Sequence, residues 1–371
     1  MERITRERYP TLAIPYHSRW RHFEAGGIDR AAALAEALAP MEPAEQARAR
    51  IDLTVLSVLL DAGAGADWRY VETSQGEPPS AAEVGDPARC YRRSEGLAVA
   101  SLRAFLAGAF SSDPARPLRV DGAALTAVDA EALGRLFQVS TDNPLVGLEG
   151  RAELLRRLGR VLMESPGFLG AETRPGALFD LLAGPATGGR VAAADMLQAL
   201  LASMSAIWPS GSRLHGQPLG DVWRHPHAGG SGLSAGWVPF HKLSQWLTYS
   251  LFEPFEWAGV TVTGRDALTA LPEYRNGGLL LDTGVLAFRD PAQAGRPWQA
   301  GDECIVEWRA LTVHLIDLLA DRLRHRLGLA PTALPLACVL EGGTWAAGRA
   351  MASELRGGEP PIQIVSDGTV F

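Results

Sequence analysis

Cysteine is scarce in this chain. Cys90, Cys304 and Cys338 are odd in number and far apart, which argues against a disulfide framework or a cysteine-built zinc site and for a reducing compartment. Positive charge is not in excess: 35 Lys and Arg against 42 Asp and Glu leave a net −7, so no nucleic-acid partner is expected. No apolar run approaches the roughly 20 residues of a spanning helix, and the opening MERITRERYP lacks a signal core. The expectation is a cytoplasmic protein that does not engage membranes. GxGxxG and Walker patterns are missing, which weakens phosphate-cradle readings. His225 and His227 in RHPH have no acid or cysteine at ligand spacing, so neither a metal nor another cofactor is expected.

What is present is an ordinary packed composition, 47% hydrophobic and 21% charged over 371 residues. The pattern is mainly α, read as one large domain over 1–371 with a small α/β element at 330–371. Amphipathic runs predict helices over 51–61, 94–108, 151–165, 191–208, 241–252 and 302–327. Ser94 and Asp302 are expected N-caps, Gly108 and Gly328 stops, and Pro254 a break. The Gly-, His- and Pro-rich stretch 209–238 reads as a long loop near something functional. At the end, PLACVLEGG is strand-like, TWAAGRAMASELR helix-like and PPIQIVSDGTVF strand-like, with the terminal TVF expected to be tucked in.

Several residues sit where chemistry could use them. In LPEYRNGGLLLDTG, Pro272 fits a first helical turn, with Glu273, Tyr274 and Arg275 beside it and Gly284 as the stop. A helix N-terminus favours a charged Glu273, which suits a base or an anion facing a developing cation; the ordinary alternative is dipole complementation. Lys242 in VPFHKLSQWL, with Pro239 near N1, falls in the first turns of a helix, where a cation opposes the dipole; the alternative is a snorkelling surface lysine. Glu307 and His314 share a face of the long helix with Leu311, and Arg309 lies on the same helix; internal ion pairing competes with ligand contact. DAGAGADWRY puts Asp61, Asp67, Trp68 and Arg69 on a glycine-rich loop that could wrap a small polar ligand. PYHSRWRHF, with His17, Arg19, Arg21 and His22, and EGGTWAAGR, with Gly342, Gly343, Thr344 and Trp345 entering a helix, are two alternative anion sites. Residues alone leave Lys242 and Glu273 as the best acid–base pair.

The stretches DAGAGADWRYVE, RRSEGLAVASLRAFLAGAFSSDP, FQVSTDNPLVGLEGRAELL, GDVWRH, PFHKLSQWLTYSLFEPFEWAG, LPEYRNGGLLLDTGVL, VEWRALTVHL, VLEGGTWAAGR and SDGTVF closely resemble the uracil catabolism protein 4 family, from about residue 50 to the end. The order FHKLSQ, EYR, VEWRA more distantly resembles the queuosine salvage family of nucleotide N-glycosidases, whose helical fold is akin to DNA glycosylases. That resemblance places Lys242 and Gln245 in a K-x-x-Q position, Glu273 where the family has Asp before Tyr-Arg, and Glu307 and Arg309 in a VEIRA-like helix. Asp61 through Trp68 roughly match an early acidic and aromatic segment, with a glycine-rich departure that fits a leaving group smaller than a large base.

Together the resemblances imply a DNA-glycosylase-like helical fold and cleavage of the N-glycosidic bond of ribosylurea or its 5′-phosphate, giving urea and ribose or ribose phosphate. They imply a small-molecule substrate and no cofactor, with other uracil-degradation enzymes as partners. Two alternatives stand beside this reading. One is an amidohydrolase or deaminase acting on the ring-opened nucleotide. The other is a non-catalytic protein that channels a pathway intermediate.

Overall fold

A computed structural model describes residues 1–73, 89–164, 172–184, 188–208 and 212–365. Its principal helices are α1 (Glu2–Arg8), α2 (Arg19–Phe23), α3 (Arg30–Leu38), α4 (Pro43–Leu59), α5 (Arg93–Leu106), α6 (Leu148–Glu164), α7 (Ala193–Met204), α8 (Lys242–Trp257), α9 (Tyr274–Asp282), α10 (Glu303–Leu327), α11 (Leu336–Val339) and α12 (Trp345–Arg356). The strands are short and pair only in twos: β1 (Arg69–Val71) with β2 (Cys90–Arg92), β3 (Arg190–Ala192) with β8 (Thr261–Thr263), β4 (Arg213–Leu214) with β5 (Gln217–Pro218), β6 (Val222–Arg224) with β7 (Trp237–Pro239), and β9 (Pro297–Trp298) with β10 (Gln363–Ile364). The β3–β8 and β9–β10 pairs are parallel and the others antiparallel. The protein is thus mainly helical, as the periodicity implies. No described helix is long and apolar enough to cross a membrane.

The centre is made by two helices that are buried on every side. In α4 each residue from Ile51 to Leu59 is buried, and in α8 each from Leu243 to Phe255. They pack on one another, and the main core forms around them. A smaller apolar cluster of Trp298, Ile305, Trp308 and Ile362 lies beneath α9 and α10. Close approach there depends on glycine. A Cβ on Gly348 of α12 would fall 2.0 Å from the Arg275 carbonyl oxygen, so the α9–α12 contact admits no side chain at that point.

Pro254 does not end α8, which runs on to Trp257. Proline removes the N–H that would reach the carbonyl four residues back. That carbonyl, Ser250, accepts the Trp20 indole N–H instead, at 3.0 Å. The Ser250 hydroxyl takes the Arg19 backbone N–H at 2.9 Å. The irregularity in α8 is therefore the place where α2 docks.

Other boundaries also differ from expectation. Helix 94–108 starts at Arg93, with Arg92 as cap position, and Ser94 does not cap it. Residues 190–192 are a strand before α7. Pro239 ends β7, and the cap of α8 is His241. Asp302 does precede α10, and Gly328 ends it at φ +69°. The predicted strand PLACVLEGG is helical: α11 passes into a π-helical turn over Leu340–Thr344 and on into α12. Every residue from Leu336 to Thr344 is buried, and a helix segment buried all round carries no 3.6 period to separate it from a buried strand. Among the described residues of the final segment Gln363–Ile364 is the strand, and the terminal SDGTVF lies outside the described residues.

Candidate active site

The N-termini of α8 and α9 are fixed to one another through a buried ion pair. Asp221, in the glycine-rich stretch, accepts from Arg309 Nη1 and Nη2 at 2.7 Å each, and from Trp223 Nε1 at 2.7 Å. Its Oδ2 also takes the Lys242 backbone N–H at 3.0 Å, holding the first residue of α8. Arg309 Nε donates to the Pro272 carbonyl at 3.3 Å, one residue before Glu273. Burial would raise the Asp221 pKa, but the Arg309 charge and its hydrogen bonds outweigh burial and hold it below the usual range. Arg309 is thus an internal brace between the two segments that carry Lys242 and Glu273.

Glu273 is the N-cap of α9. Its Oε2 accepts from Arg275 N at 2.8 Å and its Oε1 from Asn276 N at 2.7 Å. Glu273 and Pro272 were expected in the first turn; Glu273 instead stands just before it and caps the helix through its carboxylate, and Pro272 precedes the helix. Tyr274 is half-buried against the smaller cluster; burial, then the Glu273 charge, push its phenol up to about 12. Gln245 is buried and accepts from Thr269 N at 3.2 Å, so it braces the loop that leads into α9.

A second polar group lies deeper, where α2, the end of α4 and the starts of α5 and α8 meet. Arg19, fully buried, pairs with Asp61 Oδ1 at 3.1 Å and donates to Ser57 Oγ at 2.7 Å. Ser94 Oγ donates to Asp61 Oδ2 at 2.7 Å. Burial would raise the Asp61 pKa; the Arg19 charge first, then His22 and the Ser94 hydroxyl, lower it instead. Asp61, whose side chain is 12% exposed, therefore stays ionised at neutral pH. His22 is pushed down to about 3, first by burial and then by Arg19, so it is a neutral imidazole at pH 7. Two non-glycine residues here have left-handed backbones, Arg93 at φ +51° and His241 at φ +46°. They open α5 and α8, the helices that carry Ser94 and Lys242, and such strain concentrates at functional sites.

The two alternative anion sites prove to be one neighbourhood. His17 Nδ1 is 2.8 Å from Glu341 Oε2, and the His17 ring centroid is 5.1 Å from that of Trp345. Trp345 is 6.1 Å from His22, and Trp246 is 5.5 Å from His22. Glu341 also accepts from Tyr9 at 3.1 Å and Arg8 at 3.4 Å. Burial would raise its pKa, but the His17 contact and then Arg8 bring it down to about 2. Gly342, Gly343 and Thr344 do not form an anion nest, because they lie inside the continuous helical run. Gly342 O accepts from Thr5 Oγ1 at 2.8 Å, and Thr344 Oγ1 donates to Asn276 Oδ1 at 2.7 Å.

Cations line the side toward α9. Arg93 and Arg275 both donate to the Gly358 carbonyl, at 3.1 and 2.9 Å, so their guanidiniums lie side by side. Arg93 also pairs with Glu359. Burial lowers the Arg275 pKa, and the like charges of Arg93 and Arg349 lower it further against the opposing pull of Glu273.

Other predicted residues fall elsewhere. Trp68 is fully buried, with its indole N–H on the Phe137 carbonyl at 3.0 Å, and Asp67 is exposed. Arg69 pairs opposite Arg92 in the β1–β2 ladder. The glycine loop itself thus sends Trp68 inward as core, while Asp61 before it reaches the polar group. Glu307 and His314 are solvent-exposed with Leu311, because α10 turns that face outward; its buried face carries Arg309. Trp246 and Glu341 were not singled out by sequence. The buried polar spacing Lys242, Gln245, Trp246 on one helix start was the available signal for the first, and nothing local marks the second.

The family model described as "Protein of unknown function (DUF1688)" matches residues 1–371. Uracil catabolism protein 4 of Lachancea kluyveri is 39% identical over 389 aligned residues, covering 97% of this chain and 85% of that protein. Protein urg3 of Schizosaccharomyces pombe (strain 972) is 41% identical over 371, covering 96% of this chain and 84% of that protein.

Proposed function

The chain belongs to the DUF1688 family, with uracil catabolism protein 4 as a full-length relative, and from that premise we propose that it is a uracil-catabolism hydrolase. It cleaves the N-glycosidic bond of ribosylurea or its 5′-phosphate and yields urea and ribose or ribose phosphate. It works in the cytoplasm on a small molecule and uses a DNA-glycosylase-like arrangement of helices. The observation that carries this reading is the Arg19–Asp61–Ser94 polar group, made where four segments converge, one of them the start of α8 at Lys242.

In the reaction the C1′–N bond breaks with its electron pair going to nitrogen. A water oxygen bonds to C1′, and one water proton reaches the departing urea. The transition state has oxocarbenium character, so anionic groups in a water-poor site lower its energy. Glu273 stabilises that cation, accepts the water proton and passes it on to the departing urea nitrogen, returning to its ionised form. Its two capping hydrogen bonds leave other lone pairs free, since an ionised carboxylate has about four acceptor positions. Lys242 orients the water or a sugar hydroxyl.

The test is incubation of the purified full chain with ribosylurea and with its 5′-phosphate, followed by assay of urea and free sugar. Stoichiometric release of both from either compound is expected. A folded protein that releases urea from neither overturns the reading.

A further inference from the structure

Among the described residues nine buried side-chain nitrogens have no hydrogen-bond partner, and three of them fall in one place: Arg19 Nη2, His22 Nδ1 and Trp246 Nε1. Arg19 is fully buried, His22 is 7% exposed and Trp246 4%. The Arg19 guanidinium carbon is 5.7 Å from the Trp246 ring centroid, and the His22 ring stands edge-on to Trp246 at 85°. Buried polar groups are nearly always partnered, so a cluster of three unpartnered ones calls for an occupant. Asp61 adds an acceptor at the same spot, through its contact with Arg19. The occupant therefore needs an acceptor atom for the donors and an N–H for the carboxylate. Trp246 Nε1 and His22 Nδ1 each lie in the plane of their ring, so the occupant is met by ring edges, and a carbonyl beside an N–H is the edge of an amide or ureido group. A phosphate does not fit, because it would meet the Asp61 charge beside an uncharged imidazole.

We propose that Arg19, His22, Asp61 and Trp246 form the subsite that receives a planar ureido or amide group, and that it selects the leaving-group end of the substrate. The carbonyl oxygen accepts from Arg19 Nη2 and Trp246 Nε1. The terminal NH2 donates to Asp61, and His22 Nδ1 takes the remaining edge. The identification of that group as the ureido end rests on the hydrolysis proposed above; the donor and acceptor pattern does not.

Trp246→Phe keeps an aromatic ring and removes only one donor, and His22→Phe removes another. Each is expected to raise KM for ribosylurea at least tenfold and to weaken competitive inhibition by N-methylurea by a similar factor. KM refers to the folded fraction, so a change in melting temperature alone does not mimic this result. If the unmodified chain releases no urea, ribosylurea is a stable ligand, and titration calorimetry compares it with methyl riboside, which has the sugar but no ureido group. The unmodified chain should then prefer ribosylurea at least tenfold, and both variants should lose the preference. Unchanged KM and inhibition in both variants, or no preference in the titration, means that water alone fills the cluster and overturns the proposal. Urea release with unaffected variants removes the subsite and leaves the hydrolase. Ureide preference without urea release does the reverse.

Discussion

Arg309 grips Asp221 through two parallel hydrogen bonds of 2.7 Å, and the pair joins the start of α8 to the segment that enters α9. Removing one partner of a buried pair leaves an uncompensated charge. Asp221→Ala should lower stability by about 3–5 kcal/mol. The double change Asp221→Leu with Arg309→Met should cost less than that single one, since neither charge remains. Guanidinium chloride unfolding of the three proteins checks both; equal or greater loss in the double variant would mean that the pair acts through geometry instead of charge.

Glu273 has two roles that separate by measurement. As a cap it accepts two backbone N–H groups; Glu273→Gln keeps one acceptor oxygen and removes the charge, and should cost about 0.3–1 kcal/mol of stability. As the anion facing a cationic transition state its loss should reduce kcat by on the order of 10²-fold, with much of the substrate affinity kept. Melting temperature and urea release on one preparation distinguish them. A Glu273→Gln protein that releases urea at the parental rate ends the assigned role.

The paired guanidiniums of Arg93 and Arg275 are the better place for a substrate phosphate than either stretch expected from sequence. Arg19 stands against the Asp61 carboxylate, which repels a phosphate, Arg21 pairs with Glu24 and Glu253, and the Gly342–Gly343 turn is inside a helix. Arg93 pairs with Glu359, whose side chain is 57% exposed, and a phosphate that displaces it would meet both guanidiniums. Arg275→Met should raise KM for ribosylurea 5′-phosphate at least tenfold and change KM for ribosylurea less than threefold. Equal effects on the two substrates would rule out a phosphate contact.

Stability should fall in mild acid because of His22. Its pKa is 6.5 when exposed and is pushed down to about 3 in the fold by burial and then by Arg19. The unfolded chain therefore binds the extra proton between these values, so stability is lost as pH drops below 6.5. Glu341, brought down to about 2, contributes in a lower window, below its ordinary 4.5. The melting temperature of the unmodified chain should decline from pH 6.5 to 5, and His22→Phe should flatten that decline. The same slope in both proteins would assign it to other groups.

The reach of the sequence is clearest at helix ends. Gly284 and Gly328 stop helices where expected, at φ +70° and +69°, because only the local backbone decides that. Lys242 and Glu273 were rightly expected at helix starts for the same reason, within one or two positions. Residues 336–343 of the segment 335–343 are helical where a strand is expected, because full burial erases the period on which the distinction rests. Pro254 was misread because its cost is met by Trp20, 234 positions earlier, which no local rule contains.

By itself, then, the sequence determined the helices, their punctuation and which polar residues stand at their ends, since these follow from propensity, period and capping within a few residues. The tertiary structure alone decided that His17 meets Glu341, that Arg19 meets Asp61, and that Glu307 faces water while Arg309 is buried. Those outcomes depend on which faces of distant helices are driven together by apolar burial, and a charge has no preference for a particular partner until packing has removed the water between them.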